Sequence, residues 1–348
     1  MRRTIFGAWV VVALLGVAAM GAERENVPAE TATRTADTFR GDAERGNYEA
    51  QYRLGVCYAE GLGVQRNSLE AVVWVRKAAE QGHAPAQVYL GLCFAKGTGV
   101  EPDQHEALRW FRKAAERGDA FAQFKVGGCF YFGRGVEKDL HEAVIWFRKS
   151  ADQENAEGQW LLGNCYAAGK GVEVDMREAV KWYRRAADLG NAEAQRCLGA
   201  CYYTGNGVEL NQREAVRWFH KAAEQGNAEA QSSLGVCYFA GKGVEQNEHE
   251  AVKWYHMAAD QGEVDALYNV GLCYFTGKGV AEDPKEAVRC FRKAAELGLD
   301  DAQYNLGVCY SLGRGAEKDQ QEAIKWFRKA AEQGHAGAKE ELKKMGKP

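Results

Sequence analysis

Proline is scarce in this chain of 348 residues, 5 against 40 glycines. No block of basic residues occurs and the formal net charge is only −3, so the electrostatic footprint of a nucleic-acid-binding protein is missing. His-Glu-x-x-His, Gly-x-Ser-x-Gly and phosphate-loop patterns are absent, and so is Ser-x-x-Lys. Hydrolytic metal chemistry, a nucleophile elbow, a phosphate cradle and a β-lactamase-type nucleophile therefore lack their residues. The Gly-x-Gly-Val stretches end helices instead of opening them, which denies them a phosphate. The reading is of a non-enzymatic chain with no cofactor and no metal.

The one long apolar run is Ile5 to Met20, shorter than the roughly 20 residues of a spanning helix. Arg2 and Arg3 precede it and Ala18, Ala19, Gly21 and Ala22 follow, which is the grammar of a secretory signal. Residues 1–22 are expected to be that signal and 23–33 a linker, giving an exported protein, periplasmic or secreted, with no membrane span after cleavage.

What is abundant is repetition. Rows of 36 residues from Gly46 align without a gap, starting at Gly46, Gly82, Gly118, Glu154, Gly190, Gly226, Gly262 and Gly298. Residues 36 apart thus form columns, and a fixed period of this length marks a solenoid. Ala50, Leu54, Gly55 and Tyr58 share one face of a first helix; Ala71, Trp74, Val75 and Ala78 share one face of a second. The glycine of column 55 and the alanine of column 71 recur in every row, letting two backbones approach closely.

The helix ends are explicit. Asn67, Asp103, Asp139, Asp175, Asn211, Asn247, Asp283 and Asp319 form one column, with glutamate three residues later in every row. That spacing predicts a capping box, the cap accepting from the third helical residue and the glutamate reaching back. Gly61 and Gly63 end the first helix. Residues 34–45 match the end of a second helix and are expected to be an N-terminal capping half repeat. Eight repeats fill 46–333, and 334–348 continue the first-helix pattern with a polar face, as a terminal cap requires.

Leu54-Gly55-x-x-Tyr58-x-x-Gly61-x-Gly63-Val64, followed by Ala71-x-x-Trp74-x-x-Lys77-Ala78-Ala79, resembles the Sel1-like repeat, a relative of the tetratricopeptide repeat. The resemblance implies an all-α, right-handed superhelical α-solenoid of eight 36-residue helix-turn-helix repeats with polar caps, first helices lining its concave side.

Eight cysteines, from Cys57 to Cys309, occupy one column, and equivalent helices of packed repeats stay roughly 8–10 Å apart. A disulfide needs Cα atoms within about 7 Å, so these cannot bond to one another and read as small buried hydrophobes. Only Cys273 with Cys290 stays open. Some exported Sel1-like proteins are stapled repeat by repeat, a pairing this chain lacks. Histidines follow the repeat and make no cluster.

Function is expected in columns that vary on the inner face. By the tetratricopeptide resemblance, columns 52, 56, 59 and 60 lie on the concave side. They bring Phe124, Tyr131, Phe132, Trp160, Asn164, Arg196, Tyr203, Phe239, Tyr268, Phe275 and Tyr304 into a candidate ligand-binding groove, whose alternative is packing between repeats. Asn269 and Asn305 share a column that in peptide-clamping relatives touches ligand backbone. Such a groove suits a protein or peptide partner, bound by a monomer. The alternative is a cell-envelope protein that binds or hydrolyses a peptidoglycan or β-lactam ligand, with cell-wall fragments as partners.

Overall fold

The computed structural model describes residues 35–346, so the expected leader 1–22 and linker 23–33 lie outside the described residues. Among the described residues all regular structure is helical, in eighteen helices. A lone helix α1 (Ala36–Glu44) is followed by the pairs α2 (Tyr48–Glu60) and α3 (Ser68–Glu80), α4 (Ala84–Lys96) and α5 (Gln104–Ala115), α6 (Ala120–Phe132) and α7 (Leu140–Ala151), and α8 (Ala156–Ala168) and α9 (Met176–Asp188). Then come α10 (Ala192–Thr204) and α11 (Gln212–Glu224), α12 (Ala228–Ala240) and α13 (Glu248–Asp260), α14 (Val264–Thr276) and α15 (Pro284–Glu296), α16 (Asp300–Leu312) and α17 (Gln320–Glu332), and a lone α18 (Ala336–Lys344). Contacts divide the described residues into two compact units, one ending at residue 186 and the other beginning at 187. In the first, α1 to α8 pack in sequence, each on the next; in the second, α10 to α18 do the same.

The glycine of the first helix seats a ring of the second. A Cβ on Gly127 would stand 2.6 Å from the Phe147 ring, and one on Gly199 2.7 Å from that of Phe219. Overpacking of that kind costs about 1–3 kcal/mol, which is why the column admits only glycine. The rings it accommodates are fully buried: Phe147 is 0% and Phe291 1% exposed. At α18 the same column holds Lys343, exposed beside the buried Leu342, so no further ring can seat there.

Caps form as the Asx column requires. The Asp103 carboxylate accepts from the N–H groups of His105 and Glu106 at 2.8 and 3.1 Å, and Asp139 does the same for His141 and Glu142. The reciprocal half of the capping box is not made. Each cap residue's own N–H already donates to the carbonyl of the column of Tyr58, as Asp103 does to Phe94 O at 2.9 Å and Asp283 to Tyr274 O at 2.9 Å. The glutamates turn to a cation one turn on instead, Glu106 to Arg109 and Glu178 to Lys181. In the third repeat Ile145 stands where that cation would be, and Glu142 accepts from Trp146 Nε1 at 2.8 Å.

A buried amide network ties the helices together. Gln123 Nε2 donates to Ala115 O at the end of the preceding helix, and its Oε1 accepts from Gln153 Nε2 at 2.7 Å. In the second unit Gln231 bonds Ala223 O and Gln261 likewise. The seventh repeat has leucine at both amide positions, Leu267 and Leu297.

All ten cysteines are buried free thiols, Cys273 and Cys290 included. Burial pushes the Cys93 thiol up to about 12 and those of Cys129 and Cys237 up to about 11, which keeps these three protonated at neutral pH.

Candidate ligand-binding face

The variable columns of the first helices flank the ring of the second helix. In the first unit the Phe124 and Tyr131 rings sit 6.4 and 6.1 Å from the Phe147 centroid. Phe124, Tyr131 and Trp160 are 4%, 6% and 5% exposed. The expectation that these three rings line an open groove is therefore corrected: they bury apolar area within the packing. Phe132 stays half-exposed, edge-on to Tyr131 at 4.8 Å. Asn164 is half-buried and its Oδ1 accepts the Tyr183 hydroxyl at 2.7 Å, so its acceptor serves the fold.

In the second unit the same columns are more open. Tyr203, Phe239, Tyr268, Asn269, Phe275, Tyr304 and Asn305 are all partly exposed. Tyr268 and Phe275 bracket Phe291 at 5.9 and 6.0 Å, and Tyr304 leans on Phe327 at 5.7 Å. Each ring thus keeps one face anchored and offers its remainder. Asn305 Nδ2 donates to the Tyr268 hydroxyl at 3.0 Å across the repeat boundary, which orients the phenol. Arg196 differs from its expected role of meeting a ligand. Its guanidinium bridges Glu193 at 3.2 Å and Glu229 at 3.0 Å, with only 14% of its side chain exposed.

The N-terminal ends of these first helices form an acidic edge: Glu193, Glu229, Asp265 and Asp301, one per repeat. Burial raises the carboxyls of Glu229, Glu263 and Asp265, and Asp301 pushes Asp265 further in the same direction. Arg196 is a counter-charge in ion-pair contact with that edge, and His335 Nε2 lies 3.2 Å from Asp301. Among the described residues no group of three or more His, Cys, Asp or Glu is placed to hold a metal ion, and no helix is long and apolar enough to cross a membrane.

Eight consecutive matches to the Sel1 repeat cover residues 49–83, 84–119, 120–155, 156–191, 192–227, 228–263, 264–299 and 300–335. The chain belongs to the Sel1 repeat family. Among solved structures, this Sel1 repeat protein is similar to c5321, a protective antigen of uropathogenic Escherichia coli strains with an SLR fold, at 36% identity and a TM-score of 0.79. That match covers 89% of this chain and 66% of the other, so the chain spans about two thirds of that relative's length. It is also similar to a Sel1 repeat protein of Oxalobacter formigenes, at 33% identity and a TM-score of 0.64, over 89% of both chains. No curated protein gives a match.

Sequence reasoning passed over the basic residues that accompany the Sel1 first-helix rings. Lys242 lies 5.3 Å from the Tyr203 centroid, Lys278 5.5 Å from that of Phe239, and Arg314 3.8 Å from that of Phe275. The signal was present in the columns: a ring in column 59 is followed 39 residues later by a cation. It also missed Asn47, Asp119 and Asn227, which cap the first helices.

Proposed function

We propose that this Sel1 repeat protein is an exported, non-enzymatic scaffold that holds a protein or peptide partner on the first-helix face of residues 187–348. The observation that carries the reading is the contrast between columns. Tyr203, Phe239, Tyr268, Asn269, Phe275, Tyr304 and Asn305 keep accessible surface, whereas Phe124, Tyr131 and Trp160 are shut into the packing. Half-anchored rings supply rigid contact area at little entropic cost, and the Asn269 and Asn305 amides suit peptide backbone, which both donates and accepts. Phe132 and Asn164 would extend the same kind of surface on the first unit, with Arg196 acting through the position of Glu229.

The test is selection of a displayed random-peptide library on the full chain. Peptides that bind wild type and lose binding to the variant Tyr268→Leu/Asn269→Ala, at an unchanged melting temperature, support the reading. A selection yielding no binder, or binders indifferent to that variant, refutes it. Hydrolysis of nitrocefin by the purified protein would replace it with the cell-wall alternative. N-terminal sequencing of the mature chain checks export, with cleavage expected after Ala19 or Ala22.

A further inference from the structure

Column 59 and column 62 vary together along the chain. Tyr131, Tyr203, Phe239 and Phe275 are followed 39 residues later by Lys170, Lys242, Lys278 and Arg314, whereas Ala59 and Ala167 are followed by Thr98 and Asn206. Arg134, which follows Ala95, turns to Phe132 of its own repeat at 5.0 Å. Offsetting the negative end of a helix requires only a cation nearby. It does not require a ring beneath that cation, so the pairing calls for a second explanation.

In the second unit three such pairs stand on successive repeats. Lys242 and Lys278 are exposed, each over a ring of the preceding repeat, and among the described residues neither has a carboxylate in ion-pair contact. Arg314 donates to Phe275 O at 2.7 Å and to Glu282 at 2.8 Å. A lysine held over a ring has fewer rotamers left to lose when it binds, and its charge keeps its outer face. The acidic edge lies at the N-terminal ends of the same first helices and the lysines in the turns that follow their C-terminal ends. Thus 13 residues (Glu229 to Lys242) and on the order of 20 Å at the helical rise separate them, the face is polarised and an anion is steered to the lysine side.

We infer that Lys242, Lys278 and Arg314 form a docking rail for an acidic, extended peptide that carries a carboxylate at every third residue. Helices side by side stand no closer than roughly 8–10 Å, and the first helices of successive repeats meet through their side chains, as Asn305 and Tyr268 do at 3.0 Å. A polyproline II chain turns once every three residues, rising about 9 Å, so side chains three apart meet successive cations from the same side. The inference rests on the proposed first-helix face and names the class of peptide it takes.

The test uses the full chain and a fluorescein-labelled peptide of four Glu-Pro-Pro triplets, read by anisotropy, with Gln-Pro-Pro and Lys-Pro-Pro peptides as controls. Saturable binding of the glutamate peptide alone is expected, falling away near 0.5 M NaCl, where screening shortens charge interactions to a few ångströms. Lys242→Gln/Lys278→Gln should weaken it about tenfold, the sum of two modest exposed ion pairs, and Lys242→Arg/Lys278→Arg should restore it. Phe239→Leu, which keeps apolar bulk and removes the ring under Lys278, should give a smaller loss. No saturable binding, equal binding of the glutamine peptide, or indifference to the glutamine substitutions overturns the inference. So does heparin binding with the same lysine dependence and none of the peptide. Library peptides that require Tyr268 and Asn269 but ignore both lysines would overturn it while leaving the proposed face intact.

Discussion

Glu154 is the place where the repeat departs from its own backbone rule. It has φ +62°, while glycine fills the column in the other seven rows with φ between 83° and 101°. The conformation is needed because the chain turns left-handed as α7 ends, with Glu154 N–H donating to Ala151 O at 3.1 Å. A side chain there costs about 1–2 kcal/mol, and glycine gives back roughly 0.4–1 kcal/mol through its freer unfolded state. The exposed Glu154 side chain adds little of its own. Glu154→Gly should therefore stabilise the protein by about 0.5–1 kcal/mol, or roughly 1–4 °C in melting temperature for a unit of this size. Thermal melts by far-UV circular dichroism read the shift. Glu154→Asn should fall between the glycine variant and wild type, because asparagine tolerates the left-handed region, and Glu154→Val should be the worst. A glycine variant no more stable than wild type, or a valine variant equal to it, would refute the assignment of strain.

Gly158→Ala should destabilise by about 1–3 kcal/mol, because its Cβ would meet Ser150 Oγ at 2.6 Å; adding Ser150→Ala should remove the penalty, and denaturant titrations that show additive effects would refute the coupling. Gln231→Leu should cost about 1–3 kcal/mol by removing its two hydrogen bonds, to Ala223 O, which keeps Gly226 N–H, and to Gln261, which keeps Met257 O, and Gln231→Leu/Gln261→Leu should recover part of it, checked by a double-mutant cycle. Asp265→Asn should raise the melting temperature at pH 7 and lose that advantage near pH 3. The sign follows from its raised carboxyl: stability from such a group is complete below its unfolded pKa and is lost as pH rises through the folded one. The ten buried thiols should resist a thiol reagent in the native state and react together on unfolding.

The period, the helix pairing and the caps were legible because they depend on contacts within one repeat. A small residue opposite a large one, and an Asx three residues before a glutamate, carry their partner in the same row. What the rows hid depends on competition. The capping glutamates were expected to reach back, but the carbonyls of Phe94 and Tyr274 hold the N–H groups they would have taken. Gln123 looks like an ordinary polar helix residue until the chain is folded, when its partners prove to be eight and thirty residues away. Column position gives the face of a ring but not its depth. Trp160 and Tyr268 share a column, yet one is closed over and the other remains half open. Arg196 was readable as an ion pair from the glutamates at 193 and 229, had charge been followed from one repeat to the next.

The eight rows act as each other's controls, so a departure in one column can be asked for its partner in another. Ser150, in a column otherwise of alanine, is met by Gly158, in another column otherwise of alanine. Leu267 is matched by Leu297, and Ile145 by the Trp146 bond that Glu142 makes in place of an ion pair. Where only one member changed, the cost shows: Arg117 replaces the amide expected thirty residues after Gln87, and Gln87 Oε1 is buried with no hydrogen-bond partner among the described residues. Paired departures return local choices to agreement with the fold, and unpaired ones mark strain or function. Glu154 has no compensating change, and its strain is local. The exposed cations Lys242 and Lys278 have rings beneath them and no carboxylate in ion-pair contact. Their columns kept the ring and the charge together through successive repeats, and the counter-charge is what a ligand would bring.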